Sequence, residues 1–451
     1  MHPWIGAGQE DRLRITKELG IDGVGDLFER LPKEIRVDGL DLPQAQDEET
    51  LRKYFSGLAN ANTTGADRPT FLGAGVYRHM QPSVVDAVLS RAEFYTSYTP
   101  YQPEISQGTL QALFEFQTLM TRLTGMEVSN ASLYDGATAL VEAALFAYRV
   151  LRGKRNRIVV AETVNPVYRS VLNAYAEPTG LEIVTVPAGP DGRVDPSALK
   201  AAAEDACCVA IQSPNFLGVV EGIEEAGRTA HDAGALAVHV VAEALSMGLL
   251  RAGGHFEFDV VCGEAQTFGI ASGYGGPHLG FFTCSQKNIR QMPGRLCGET
   301  VDSDGNRAFC LTLSTREQHI RRAKATSNIC TNQGLMALAA TVWLEAIGGT
   351  GLGLLAEDNL SRAHELARRI YASGLPWRLA YPQSPFFNEF LLLGPMGGDE
   401  AAQKMAEAGI LAGVPTSRWE GSWPDGLLVA VTEMNTSEDL DLFVDALGRI
   451  S

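Results

Sequence analysis

The chain has 451 residues, 45 % of them hydrophobic, enough to bury one large core and a smaller one. Its 37 basic residues stand against 54 acidic ones, a net charge of −17, which excludes nucleic acid as the main partner because phosphate binding relies on a basic surface. No run reaches the roughly 20 apolar residues of a membrane helix, and the start Met1-His2-Pro3-Trp4 lacks the basic-then-apolar order of a secretory signal.

Residues 1–65 read as a helical extension. Helix formers run from Asp11 to Leu19 and stop at Gly20. A second amphipathic piece spans Asp22 to Leu31 before Pro32, a third spans Glu48 to Leu58, and Asn60 to Gly65 is a polar break. Too small to bury a core alone, such a segment is expected to wrap a partner or the chain's own body.

From 66 to 330 short β-branched runs alternate with helix-length segments. The strand candidates are Ile158 to Ala161, Glu182 to Val186, Cys207 to Ile211, Leu236 to Val241 and Asp259 to Cys262, most of them apolar on both faces. That pattern predicts a parallel sheet covered by helices, such as Val167 to Tyr175, Pro196 to Ala203 and Gly222 to Ala233, in a doubly wound α/β domain. From 331 to 451 a helical linker, Leu335 to Ile347 and Leu360 to Ser373, leads into a smaller α+β unit. Its strands are Asn388 to Leu393 and Leu427 to Val431, and its last helix, Ser437 to Leu447, opens on a capping box at Thr436 and Asp439.

Four segments could carry chemistry. Asp135-Gly136-Ala137-Thr138 precedes a helix from Ala139 to Arg149, where small and hydroxyl residues can form an anion seat or simply a cap. Glu243 follows a strand at the end where ligands of open α/β sheets sit. Tyr98-Thr-Pro-Tyr101-Gln102-Pro-Glu104 is stiffened by two prolines and presents its polar side chains along a loop before a helix from Thr109 to Leu123. The alternative is a loop that packs its tyrosines under the sheet. Gly275-Gly-Pro-His278-Leu-Gly280 leads into a strand from Phe281 to Cys284, with His278 read as a hydrogen-bonded structural histidine. Two basic clusters, around Arg149 to Arg157 and Arg316 to Lys324, read as solvated faces, the second able to guide an acidic partner. Seven cysteines without a Cys-x-x-Cys pair read as free thiols, mostly buried, in a reducing cytosol, and their spacing suits no zinc site. A cytoplasmic location is therefore expected.

The runs Ser97 to Gly108, Asn130 to Thr138, Tyr274 to Phe281, Pro293-Gly-Arg295, Arg321 to Asn328 and Phe386 to Phe390 resemble the N-terminal half of the glycine cleavage system P-protein, from about residue 10 to the end. In many bacteria that enzyme is divided into two chains, and this sequence looks like the first. The resemblance implies a pyridoxal phosphate (PLP) transferase of fold type I, aspartate-aminotransferase-like, with a smaller α+β domain. It implies glycine decarboxylation and transfer of the aminomethyl group to the lipoyl arm of H-protein, with PLP absorbing the carbanion charge.

The fold should carry its Schiff-base lysine between Asp205 and Gln286, and that stretch contains none. By the family match, counting from Asp259, Thr267 occupies the lysine position, and a threonine cannot condense with an aldehyde. The resemblance therefore implies no catalytic residue and no covalent cofactor in this chain alone. PLP would sit on subunit 2 of an α2β2 enzyme. Asp135, Gly136, Ala137, Thr138 and Glu243 would mark a vestigial pocket, and Tyr98, Tyr101, Gln102 and Glu104 would contribute to the partner's site. Family members tend to carry aspartate where Glu243 stands, a departure that suits a pocket no longer holding a working ring. Two other readings are a self-sufficient PLP enzyme with a displaced lysine, Lys287 or Lys324, and a structural or regulatory paralogue that adds nothing to the site.

Overall fold

The β-branched runs in the middle of the chain form one seven-stranded sheet in the computed structural model, which describes residues 6–451 except Arg30 and Asp38. The reading of the Met1 to Trp4 start lies outside them. The strands are β1 (Val128–Ser129), β2 (Arg157–Ala161), β3 (Glu182–Val186), β4 (Ala206–Gln212), β5 (Leu236–Val241), β6 (Val260–Glu264) and β7 (Gly280–Cys284). Their order is β1-β7-β6-β5-β4-β2-β3. From β3 through β6 every pairing is parallel. The apolar-on-both-faces strands β4 to β7 are buried throughout, while Glu182 and Thr185 keep β3 exposed at the edge.

β7 departs from the parallel expectation and runs antiparallel to β6. Its connection from β6 holds no crossover helix, and a parallel return needs one. The helix Gly136–Val150 packs across β4 to β7. It starts earlier than its apolar periodicity shows, because Asp135 caps it with a full capping box to Thr138.

The chain divides into two compact units, 1–63 and 64–451. In the first, helices Gln9–Leu19 and Glu48–Asn60 form as expected, but Asp22 to Leu31 does not form an amphipathic α-helix. Among the described residues of that run only Val24–Phe28 coils, as a 3-10 turn, because Gly23 and Gly25 weaken it.

The C-terminal part of the second unit holds an antiparallel sheet, in the order β8-β9-β11-β10. Its strands are β8 (Arg378–Leu379), β9 (Glu389–Leu393), β10 (Val414–Pro415) and β11 (Leu427–Ala430). Helix Ser437–Ile450 closes a core of Leu366, Ile370, Phe390 and Phe443. Phe71 joins that core from the other end of the sequence, its backbone bonded to Leu411 and Ala430.

The two linker runs form two helices in the helical segment Gly334–Ala372, which is kinked at Gly348, whose φ of 67° no residue of a right-handed helix adopts. Contrary to the sequence expectation, this segment carries an 18-residue stretch of mean hydropathy 1.4, apolar enough to cross a membrane. Its apolar residues have another use: Ala337, Trp343 and Leu344 are buried in the main core.

The basic clusters are also not simply solvated. Arg149 lies 3.6 Å from the buried Glu142, and Arg316 is buried, donating to the carbonyls of Met292, Gly294 and Leu313. Five of the seven cysteines are buried, Cys310 is partly covered and Cys330 is exposed.

Candidate functional site

Parallel strands leave a crevice beyond their carboxyl ends, and Glu243 stands there, just after β5. It is buried and fully engaged. Its Oε1 accepts from the Leu245 amide and the Thr267 hydroxyl, both at 2.9 Å. Its Oε2 accepts from Nε2 of His79 at 3.0 Å and from Asn388 at 3.4 Å. Thr267, 3 % exposed, thus spends its hydroxyl on the same carboxylate.

His79 bridges two acids, since its Nδ1 lies 3.0 Å from Glu433. Burial works against the imidazolium, but Glu243 and Glu433 more than offset it and raise its pKa to about 10. Burial also acts on Glu433, yet His79, the Met80 amide and Asn359 together hold it below the usual carboxylate range. On the other side of Glu243, burial pushes Glu389 up to about 7, against hydrogen bonds from the Ala74 amide and the Tyr77 hydroxyl. The strand-end crevice is a closed, self-satisfied network.

The anion seat is filled from within. At the start of the Gly136 helix, the Gly136 amide donates to Oε2 of Glu264 at 3.0 Å. Oε1 of Glu264 accepts from the amides of Gln266 (3.0 Å) and Leu279 (2.8 Å). Burial pushes the Glu264 carboxyl up, while His278 and the Leu279 and Gly136 amides pull it back. Tyr168 covers the same turn so closely that a Cβ at position 136 would overlap its hydroxyl. His278 is not the hydrogen-bonded residue expected: its Nδ1 lies 3.6 Å from Glu264 without a hydrogen-bond partner.

A bound PLP does not fit these residues. Its aldehyde would find no amine at Thr267, and its phosphate would meet the Glu264 carboxylate on the amides it needs. The displaced-lysine candidates do not rescue it. Lys287 is exposed, 3.9 Å from Asp259 at the start of β6, the opposite end of the sheet from Glu243. Lys324 is exposed in a 3-10 turn.

The tyrosine loop lies elsewhere and does not pack under the sheet. Tyr98 is 92 % exposed, Tyr101 is half exposed, and Gln102 and Glu104 are exposed beside the turn Pro103–Ile105. Tyr101 alone among them reaches inward, accepting from Arg295 at 3.0 Å beneath its ring. Arg295 also binds Thr331, Asn332 and the Cys330 carbonyl. Its segment is pinned because Tyr134 accepts from the Cys330 and Thr331 amides and Ser327 donates to Glu142.

The sequence reading thus located two regions but missed three residues that define them. Glu264 was visible as a second carboxylate at a strand end. Arg295 lay within a quoted motif without a role. His79 gave no signal, because its partners are 164 and 354 residues away.

The profile of the glycine cleavage system P-protein family matches residues 2–447. A probable glycine dehydrogenase (decarboxylating) subunit 1 from Anaeromyxobacter dehalogenans is 51 % identical, over 95 % of this chain and 96 % of that protein. A crystal structure of a glycine decarboxylase (P-protein) in inhibitor-bound form superposes with a TM-score of 0.88 at 41 % identity. It covers 99 % of this chain and 100 % of its own. A cysteine desulfurase from Thermococcus onnurineus shares the fold alone, with a TM-score of 0.60 at 15 % identity over 91 % and 99 % of the two chains.

Proposed function

The chain belongs to the glycine cleavage system P-protein family, and on that premise we propose that it is the subunit of glycine dehydrogenase (decarboxylating) that works through a partner's cofactor. The observation that carries this reading is the closed strand-end pocket, with Thr267 locked onto Glu243 and Glu264 filling the helix terminus. A second subunit supplies the lysine and holds PLP, and two of each subunit form the enzyme in the cytoplasm. PLP, when bound there, provides the electron sink that glycine decarboxylation needs.

This chain's own residues shape the approach to that site. Tyr98, Tyr101, Gln102 and Glu104 stand exposed on a loop stiffened by Pro100 and Pro103, suited to contact glycine and the lipoyl arm of H-protein. Packing this loop over the partner's pocket would keep water from the reacting carbon. Arg295 holds Tyr101 in place from below.

The test is co-expression with the second subunit, followed by a glycine–bicarbonate exchange assay on each chain and on the pair. Exchange is expected from the pair and none from this chain. A preparation of this chain alone that turns yellow with PLP and releases carbon dioxide from glycine would end the proposal.

A further inference from the structure

His239 and Val241 stand two residues apart on β5, so both side chains point to one face of the sheet, with the helix Ile223–Asp232 packed against it. After β5 the chain leaves the sheet through two 3-10 turns, Ala244–Gly248 and Gly253–Phe256, instead of a helix that would fill the layer. The pieces do not close on one another. They leave a cavity of about 190 Å³ walled by Ile223, Val241, Met247, Leu250, Ala252 and Phe256. Native interiors rarely keep a void much larger than a water molecule, because its lining forfeits packing contacts. A benzene ring fits an apolar cavity of about 150 Å³, so this one has room for a body of that size.

The polar groups in its walls are engaged elsewhere. The Ser213 hydroxyl accepts from the Glu221 amide, and the Ser246 hydroxyl donates to the Glu243 carbonyl. His239 donates from Nε2 to the Ser213 carbonyl and accepts at Nδ1 from the Gly253 amide, and burial holds it neutral with a pKa of about 4. The Glu221 carboxyl accepts from Thr163, Asn215 and the Val194 amide, with burial pushing its pKa up. One polar side chain is left. Arg251 is exposed beside the half-buried Leu250, and among the described residues it forms no ion pair and no hydrogen bond. The half-buried Val220, Met247, Leu250 and Phe256 put the mouth of the cavity next to that guanidinium. An apolar chamber with one unpaired cation at its mouth selects a ligand with an apolar body and a single negative head.

We propose that this cavity binds a small apolar carboxylate, aromatic or branched aliphatic, with its hydrocarbon in the chamber and its carboxylate on Arg251. Burying the hydrocarbon removes apolar surface from water, and the planar guanidinium matches a carboxylate with two parallel hydrogen bonds. An alcohol of the same shape keeps the first contribution and loses the second. The site goes beyond the function proposed above: Glu243, Thr267, Glu264 and the tyrosine loop do not line it, and its test involves no turnover and no second subunit.

The test is calorimetric titration of the full-length chain with benzoate, isovalerate and the matching alcohols, benzyl alcohol and isoamyl alcohol, in separate runs. One saturable site is expected for at least one carboxylate, and the tighter of the two assigns the body as aromatic or aliphatic. Its alcohol should bind roughly tenfold more weakly, the usual weight of a charge-assisted contact. Arg251→Met, at an exposed residue without partners, should bring the carboxylate down to the level of the alcohol and leave the alcohol unchanged. Leu250→Trp fills the chamber and should remove binding of both. If its melting curve shows that it does not fold, Met247→Trp takes its place. No saturable binding of either carboxylate by the wild type overturns the proposal. Undiminished binding by the folded tryptophan variant overturns it too, as does equal affinity of wild type and Arg251→Met for the carboxylate.

Discussion

Replacing His79 by Gln should make the stability of this chain lose most of its dependence on pH between 6.5 and 10. The imidazolium sits between Glu243 and Glu433 with its side chain 2 % exposed, so its charge is held by those two acids and little else. Its pKa is about 10 in the fold against 6.5 for the free group, so the fold binds a proton that the unfolded chain releases. That stabilisation is fully present below pH 6.5 and is lost as pH rises through 10, at about 1.4 kcal/mol per pH unit. Across the window it amounts to roughly 4–5 kcal/mol. The independent expectation for removing one partner of a buried ion pair, about 3–5 kcal/mol, agrees. Urea unfolding of wild type and His79→Gln at several pH values between 6 and 10 measures it. The variant should be less stable by about that amount at pH 6–7 and should converge on the wild type near pH 10. Groups common to both proteins cancel in the difference. Parallel curves, with a constant gap, would refute the charged assignment of His79.

Thr267→Lys should stay colourless in excess PLP, because Glu243 would take the new ammonium and Glu264 still fills the phosphate seat; a visible absorption band in that variant contradicts the closed pocket. Glu264→Ala leaves three backbone amides without an acceptor and should cost about 3 kcal/mol, partly restored by inorganic phosphate. A thermal melt with and without phosphate reads this, and an unchanged melting temperature rejects the seat. Tyr98→Ala, at a residue 92 % exposed, should leave folding and assembly intact and cut turnover of the reconstituted enzyme roughly tenfold or more. Unchanged kinetics would leave the loop without its role.

What the sequence made legible follows from range. Strands β3 and β5 match their predicted bounds because continuous apolar runs between helices have few other uses, and the Asp135 and Thr436 caps announce themselves within four residues. The antiparallel turn of β7 was not legible from its own composition, which suits either direction. The break at Gly348 was legible, since the first linker run was read as ending at Ile347, but the helix resumes directly after it and not at Leu360. At the site, the missing amine was evident by residue type alone, whereas what replaced the cofactor was not. Glu264 and His79 act through backbone amides and acids brought together only by the finished sheet. Arg295 stands out only once its neighbours are known to be neutral.

The carboxylate at the start of the Gly136 helix has a thermodynamic consequence. A subunit that seats a coenzyme at this terminus gains folding free energy that grows with the coenzyme's concentration. Here the neutralising oxygen atoms are covalently part of the polypeptide, so that term is constant. The chain completes this pocket from its own residues, so the stability it gains there is written into the sequence and does not vary with the concentration of a dissociable ligand.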